Sequence, residues 1–173
     1  MTATPPALEL RRAGPADAQA LARLHHQVWV ETCAALAPAP AVAALTFEHR
    51  LAGWTATLAA ADPETLMAVD GDLLAGLVSF GAATDPVFGP LAEVRHLYLL
   101  PAYRGQGHGL RLLTAALIAL RDAGHPGAGL AVVEDNHRAR AFYLSAGGTE
   151  AARFTDKGPL WRSWNRLVTW HFA

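Results

Sequence analysis

Three glycines fall within five positions at Gly105, Gly107 and Gly109, in the segment Arg104-Gly105-Gln106-Gly107-His108-Gly109. Ala92 to Leu100 before them reads as a strand stopped by Pro101. Gly107 to about Ala123 reads as a helix, with Leu110, Leu113, Leu117 and Leu120 spaced for one buried face and Gly124 as its stop. A strand that turns through glycine into a helix restricts the chain to folds that layer helices on a sheet. The turn also has a chemical reading. With side chains removed, successive backbone N–H groups point outward at the first helical turn, where the dipole adds partial positive charge, so the turn suits an anion, most simply a phosphate. The alternative is a plain glycine-rich turn. Two well-known phosphate motifs fail the test: a dinucleotide fingerprint starting at Gly105 requires Gly or Ala where Leu110 stands, and the Gly-Lys-Ser/Thr of a P-loop is absent.

The rest of the chain supplies the other elements. Leu8 to Arg12 alternates as a first strand, and Gly14-Pro15 opens a helix carrying Leu21, Leu24 and Val28 on one face, with Asp17 in its first turn. Ala34 to Ala44 is either a linker or an ordinary helix connection. A second helix starts at Thr46 as N-cap, buries Leu51, Trp54 and Leu58, and breaks at Asp62-Pro63. Thr65 to Val69, Asp70-Gly71-Asp72 and Leu73 to Phe80 read as a hairpin. Leu130 to Val133 is a short strand, Asn136 to Ala146 a short helix ended by Gly147-Gly148, and Leu167 to Phe172 a closing strand. The order β-α-α-β-β-β-α-β-α-β-β predicts an α/β fold with a mixed central sheet of about seven strands flanked by about four helices. It does not alternate strictly, as a doubly wound sheet would.

Composition sets the outer bounds. At 173 residues one domain, 1–173, is the default. The 14 Lys plus Arg balance 15 Asp plus Glu, which gives no support for nucleic acid or an anionic membrane as partner. No run approaches the roughly 18 apolar residues of a membrane span. Cys33 is the only cysteine, which excludes an internal disulfide framework and fits a reducing cytoplasm. Met1-Thr2-Ala3-Thr4-Pro5-Pro6 lacks the basic and apolar regions of a secretion signal. His25 and His26 point about 100° apart on a helix, a poor metal pair, and no HExxH spacing occurs, so no metal is expected.

Arg104-x-x-Gly107-x-Gly109 resembles the pyrophosphate-binding motif of the GCN5-related N-acetyltransferases, and Val94 to Tyr103 is similar to their central strand. Asn136-x-x-Ala139-x-x-Phe142-Tyr143-x-x-x-Gly147 resembles the second signature of the same family; Gly148 stands where an aromatic residue usually follows. Trp29, Thr32, Leu36, Pro38, Leu45-Thr46, Arg50 and Trp54 resemble one bacterial subgroup, with Cys33 in place of a common tyrosine and Ala35 of a common glycine. Two signatures at the expected separation carry more weight than either alone.

The resemblance implies a transfer of acetyl from acetyl-CoA, as co-substrate, to an amine. It assigns Arg104, Gly105, Gln106, Gly107, His108 and Gly109 to the pyrophosphate, and the backbone of Leu97 and Leu99 to the pantetheine arm. It places Tyr143 beside the CoA sulfur, where a phenol protonated at neutral pH can act as general acid; the alternative is that Tyr143 only packs. Asn136 either hydrogen-bonds CoA or N-caps its helix, or does both. Glu93 is either a base or cation-binding carboxylate near the thioester, or a solvated strand-end charge. By plain alternation Glu93 and His96 take opposite faces unless a bulge intervenes. Glu31 and Thr32 are placed by the subgroup resemblance at the acceptor entrance, with a solvated face as the other reading of Glu31.

The expected function is direct acetyl transfer to a small-molecule or peptide amine. The alternatives are a non-catalytic acyl-CoA-binding regulatory domain and a protein N-terminal or lysine acetyltransferase. Trp161, Trp164 and Trp170 crowd the C-terminal stretch, where they either cover a homodimer interface or close the core. A lone Cys33 argues against a thiol-based acyl-enzyme unless it faces the cleft.

Overall fold

A computed structural model describes residues 7–173; the six N-terminal residues read above for a leader lie outside the described residues. The chain runs β1 (Glu9–Arg12), α1 (Ala18–Thr32), α2 (Ala39–Ala44), α3 (Phe47–Ala59), β2 (Glu64–Asp70), β3 (Leu73–Gly81) and β4 (Ala92–Leu99). It continues through α4 (His108–Asp122), β5 (Gly127–Val133), α5 (His137–Ser145), β6 (Thr149–Thr155) and β7 (Trp164–His171). The seven strands form one sheet in the order β1-β2-β3-β4-β5-β7-β6. All neighbours are antiparallel except β4 and β5. The mixed sheet and its strand number match the sequence expectation. The helices number five among the described residues, because the alanine-rich connection itself winds into α2 after Pro38, whose fixed φ suits a helix entry.

Each helix forms where the local chemistry permits. Thr46 caps α3, its hydroxyl accepting from the His49 N–H at 3.2 Å, and Asn136 caps α5, its side-chain oxygen accepting from the Ala139 N–H at 3.2 Å. Gly124, at φ 89, ends α4. In the β2–β3 hairpin only Gly71 takes a positive φ, 58°, which is the pattern of a turn with glycine first rather than of one with both central residues left-handed.

Strand alternation sends side chains into two apolar layers. On one face, Met67, Val69 and Leu77 meet Leu21, Leu24 and Val28 of α1 and Trp54 of α3. On the other, Val78, Phe80, Ala92 and Val94 meet Leu112, Leu113, Ala116 and Leu120 of α4, with Val168 and Trp170 of β7. The buried stripe of α4 is thus turned relative to the expected one: Leu112 and Ala116 replace Leu110, which is 48% exposed, and Leu117 is only partly buried. At about 100° per residue Leu110 lies roughly 100° from the centre of the stripe formed by Leu112, Leu113, Ala116 and Leu120, on the flank of the helix.

The three C-terminal tryptophans separate. Trp170 is buried and donates from Nε1 to the Ala146 carbonyl, Trp161 turns toward Trp29, and Trp164 stays 49% exposed beneath the Arg153 guanidinium, 3.6 Å from its ring centroid. Trp170 explains Gly148. A Cβ there would lie 2.5 Å from Val168 Cγ1, 2.8 Å from Trp170 and 2.9 Å from the Tyr143 carbonyl oxygen. The aromatic bulk usual at this position comes instead from Trp170. Gly148→Ala is therefore expected to cost about 1–3 kcal/mol through overpacking, read as a lower urea midpoint with an unchanged slope.

Candidate active site

The site exists because β4 and β5 part. They pair only at Ala92–Ala128 and Glu93–Gly129, whereas β5 stays paired with β7 along its whole length from Gly127 to Val133. β4 remains with β3, so a wedge opens between them and widens toward Leu99. The opening is a cleft of about 990 Å³ lined by β4, β5, α1, α3, α5 and the loop before β7.

β4 carries a bulge. Ser79 pairs with His96 and Phe80 with Val94, so Arg95 is the extra residue. It inverts the alternation: Val94, Leu97 and Leu99 pack toward α4, while His96 and Tyr98 turn to α1 and α3. Glu93, opposite in sense to Val94, falls on the same side as His96, the arrangement that plain alternation forbids. The Leu100 N–H donates to the Ala75 carbonyl on β3 at 2.9 Å, so the period of two turns the backbone groups of Leu99 and Leu97 to the opposite, parted edge. The Leu99 carbonyl there accepts from Arg104 Nε at 3.0 Å.

At the wide end of the cleft sits the glycine turn. Gly105 and Gly107 have φ of 73° and 84°, conformations that side chains resist, and Gly107 is the residue before α4. A Cβ on Gly109 would lie 3.3 Å from Leu99 and 3.4 Å from Phe142, so glycine there keeps the turn against β4 and α5. Gln106 donates to the Ala102 carbonyl and His108 lies against Tyr103. The Arg104 guanidinium is 3.4 Å from Glu31. A row of free N–H groups, one arginine and an unpaired strand edge suits a long ligand with a diphosphate at one end and amides along its arm. Asn136, Ala139 and Tyr143 of α5 form the facing wall.

Tyr143 lies edge-on to Trp170, and burial raises its pKa, so the phenol holds its proton. The Glu93 carboxylate accepts from the Thr84 N–H at 3.3 Å and its hydroxyl at 3.4 Å, and stands 3.8 Å from Arg95 Nε. Burial raises its pKa, against the pull of Thr84 and Arg95. Thr32 lines the cleft but spends its hydroxyl proton on the Val28 carbonyl at 2.7 Å. Glu31, read as either an acceptor-entrance carboxylate or a solvated charge, accepts from Gln27 and Arg104. Cys33 also lines the cleft, and burial raises its thiol pKa, which disfavours the nucleophilic thiolate.

A buried aromatic stack lies behind the bulge. His25 accepts at Nδ1 from Trp54 Nε1 at 3.2 Å, stacks on Tyr98 at 4.7 Å and meets His96 at 4.7 Å. Sequence reading assigned His25 no place in the cleft, although its spacing from Leu21 and Val28 puts it on the buried stripe of α1. Trp161, Arg50 and the 156–161 loop were also missing from the sequence-derived site. Among the described residues no group of three or more His, Cys, Asp or Glu is arranged to hold a metal ion.

The histidines couple folding to pH. Burial pushes His96 down to about 4 and lowers His25 well below its usual value, so both are neutral when folded and charge when unfolded below about pH 6.5. Stability is then full above pH 6.5 and falls as pH drops toward 4, by about 1.4 kcal/mol per unit per histidine. Urea unfolding at pH 7 and 5 is expected to show this fall in the wild type and a shallower one in His96→Gln.

Residues 26–147 match the model of the acetyltransferase (GNAT) family. Comparison with curated proteins finds no match. Among solved structures, the fold is similar to PaiA N-acetyltransferase of Thermoplasma acidophilum in complex with coenzyme A, with a TM-score of 0.74 and 20% identity, covering 95% of this chain and 99% of that one. It is also similar to YncA, a putative acetyltransferase from Salmonella typhimurium with acetyl-CoA, at 0.71 and 21%, covering 96% and 94%. A third is the ribosomal-protein-alanine N-acetyltransferase of Brucella melitensis, at 0.72 and 20%, covering 95% and 100%.

Proposed function

The chain belongs to the GNAT family of acetyltransferases, and from that premise we propose that it transfers the acetyl group of acetyl-CoA directly to a primary amine of a small molecule or peptide. The observation that carries the reading is the parted edge of β4, with Leu97 and Leu99 turned outward, ending at the glycine turn. Relatives in fold hold coenzyme A or acetyl-CoA.

Acetyl-CoA supplies the activated carbonyl and a thiolate leaving group. The backbone of Leu97 and Leu99 holds the pantetheine arm as an added strand, and an N–H of this edge polarises the thioester oxygen. The turn from Arg104 to Gly109 takes the diphosphate, with Arg104 exchanging Glu31 for phosphate oxygen. Glu93, directed to the same side as His96 by the bulge, takes the proton that the attacking amine must lose, directly or through water. Its raised pKa brings it nearer to a working base at neutral pH. Tyr143, protonated and on the opposite wall, gives the departing sulfur its proton.

Free-thiol release from acetyl-CoA with a panel of amines and short peptides tests the function. Tyr143→Phe is expected to lower kcat about 100-fold while the affinity for CoA, measured by calorimetry, stays within a factor of about two. Full activity in Tyr143→Phe removes the acid role. Tight CoA binding with no thiol release across the panel would make the protein a binding domain instead. Glu93→Gln is expected to reduce kcat/KM about 10- to 100-fold, most at the pH where the wild type has its base ionised.

A further inference from the structure

Four arginines line the cleft, and three of them have evident circumstances. Arg95 donates to the Ala82 carbonyl and lies near Asp62 and Glu93; Arg104 donates to the Leu99 carbonyl and faces Glu31; Arg138 is exposed on the first turn of α5. The fourth, Arg50, enters from α3 and is half-buried. Its guanidinium carbon lies 5.3 Å from the centre of the Trp29 ring, and Trp29 meets Trp161 edge-on at 6.4 Å. Its Nε is shut off from solvent with no hydrogen-bond partner. None of the ion pairs among the described residues includes it.

The groups around Arg50 do not offset its charge. His25 and His96 are neutral, and the Tyr98 phenol and Cys33 thiol keep their protons. Burial lowers the pKa of Arg50 itself, the mark of a cation held out of water. Cation–π contact with Trp29 recovers only part of that cost. A half-buried guanidinium with no acid beside it, in a cleft whose substrate must be an amine, is matched by an anion on the substrate.

We propose that Arg50 is the anchoring residue for an oxyanion, a carboxylate in the first instance, carried by the acceptor together with its amine. The acceptors are then amino acids or similar aminocarboxylates, bound beside the Trp29–Trp161 pair with the carboxylate on Arg50. This rests on the N-acetyltransferase reading for the word acceptor, but the anion site itself does not need turnover. Planar guanidinium pairs bidentately with carboxylate, which an ammonium does not reproduce.

The test offers matched acceptors, each as its carboxylate and as its uncharged amide: methionine against methioninamide, phenylalanine against phenylalaninamide, and 4-aminobutyrate against its amide. Thiol release is followed for the wild type, Arg50→Gln and Arg50→Lys. The carboxylate forms are expected to show KM about 10- to 100-fold below the amides in the wild type, with the preference abolished in Arg50→Gln and partly kept in Arg50→Lys. In parallel, CoA-loaded protein is titrated with the N-acetylated forms of the same carboxylates and amides, reading tryptophan fluorescence and Tm, which requires no transfer. Carboxylate binding that disappears in Arg50→Gln, while CoA affinity is unchanged, supports the proposal even if no amine is acetylated; in that case the transfer reading alone fails. Amides used or bound as well as carboxylates by the wild type overturn the proposal, as does a preference that survives in Arg50→Gln or the absence of any carboxylate binding. If Arg50 only packs on Trp29, Arg50→Gln lowers Tm and leaves selectivity unmoved. Should Arg50→Gln not fold, the wild-type contrast and Arg50→Lys decide.

Discussion

Backbone N–H and C=O groups inside a protein need partners, and the separation of β4 from β5 after two paired residues leaves a row of them without any. Two local causes hold the strands apart. The extra residue Arg95 bends β4 and strengthens its twist, while β5 is kept straight by seven paired positions with β7. The sheet thus behaves as two halves joined at Ala92–Ala128 and Glu93–Gly129, with α4 packed across the join. Arg104 satisfies the Leu99 carbonyl at one end. The remaining edge is available to a ligand that can itself hydrogen-bond like a strand, which is why an amide-bearing arm fits the wedge better than a rigid aromatic ligand would.

The same wedge separates two electrostatic environments. At its wide end positive charge is delivered by backbone dipoles and Arg104, so the near-balanced total of 14 basic and 15 acidic residues is no obstacle to binding phosphates. Deeper in, the histidine and tyrosine stack behind the bulge is neutral by burial, so the charges nearest it on the cleft wall are those of Arg50, Glu93 and Arg95. Neutral histidines matter for the proposed transfer: a protonated His96 would repel an ammonium that entered this part of the cleft.

What the sequence disclosed follows the range of the interaction involved. Thr46 and Asn136 were legible as caps because a cap is settled by residues three positions apart. The glycine turn was legible because its backbone conformation needs glycine whatever surrounds it. Leu110 was misplaced because two helical stripes overlap in this leucine-rich helix, and spacing alone does not say which of them the sheet covers. A bulge on β4 was implied by the family resemblance, but its place at Arg95 was not legible, since it depends on the register of β3 against β4, and with it went the side on which Glu93 and His96 stand. Trp161 lies in an irregular loop whose path no periodicity announces, and its contact with Trp29 is set by tertiary packing.

Helix α1 is the member that joins these parts. Its Leu21, Leu24 and Val28 are anchored in the apolar layer, and His25 ties that layer to β4 through Tyr98 and to α3 through Trp54. Further along, Trp29 and Thr32 line the cleft, and Glu31 reaches across to Arg104 at the glycine turn. A partly exposed pair such as Glu31–Arg104 adds little stability, about 0–1 kcal/mol, and on the proposed reading it loosens when a phosphate takes its arginine. Its position matters more than its energy: the carboxylate that releases Arg104 sits one residue from Thr32 and two from Trp29 on the same helix. On the proposed reading, phosphate binding at the turn and the shape of the cleft beside Trp29 would meet in this one helix, with Glu31 as the contact between them.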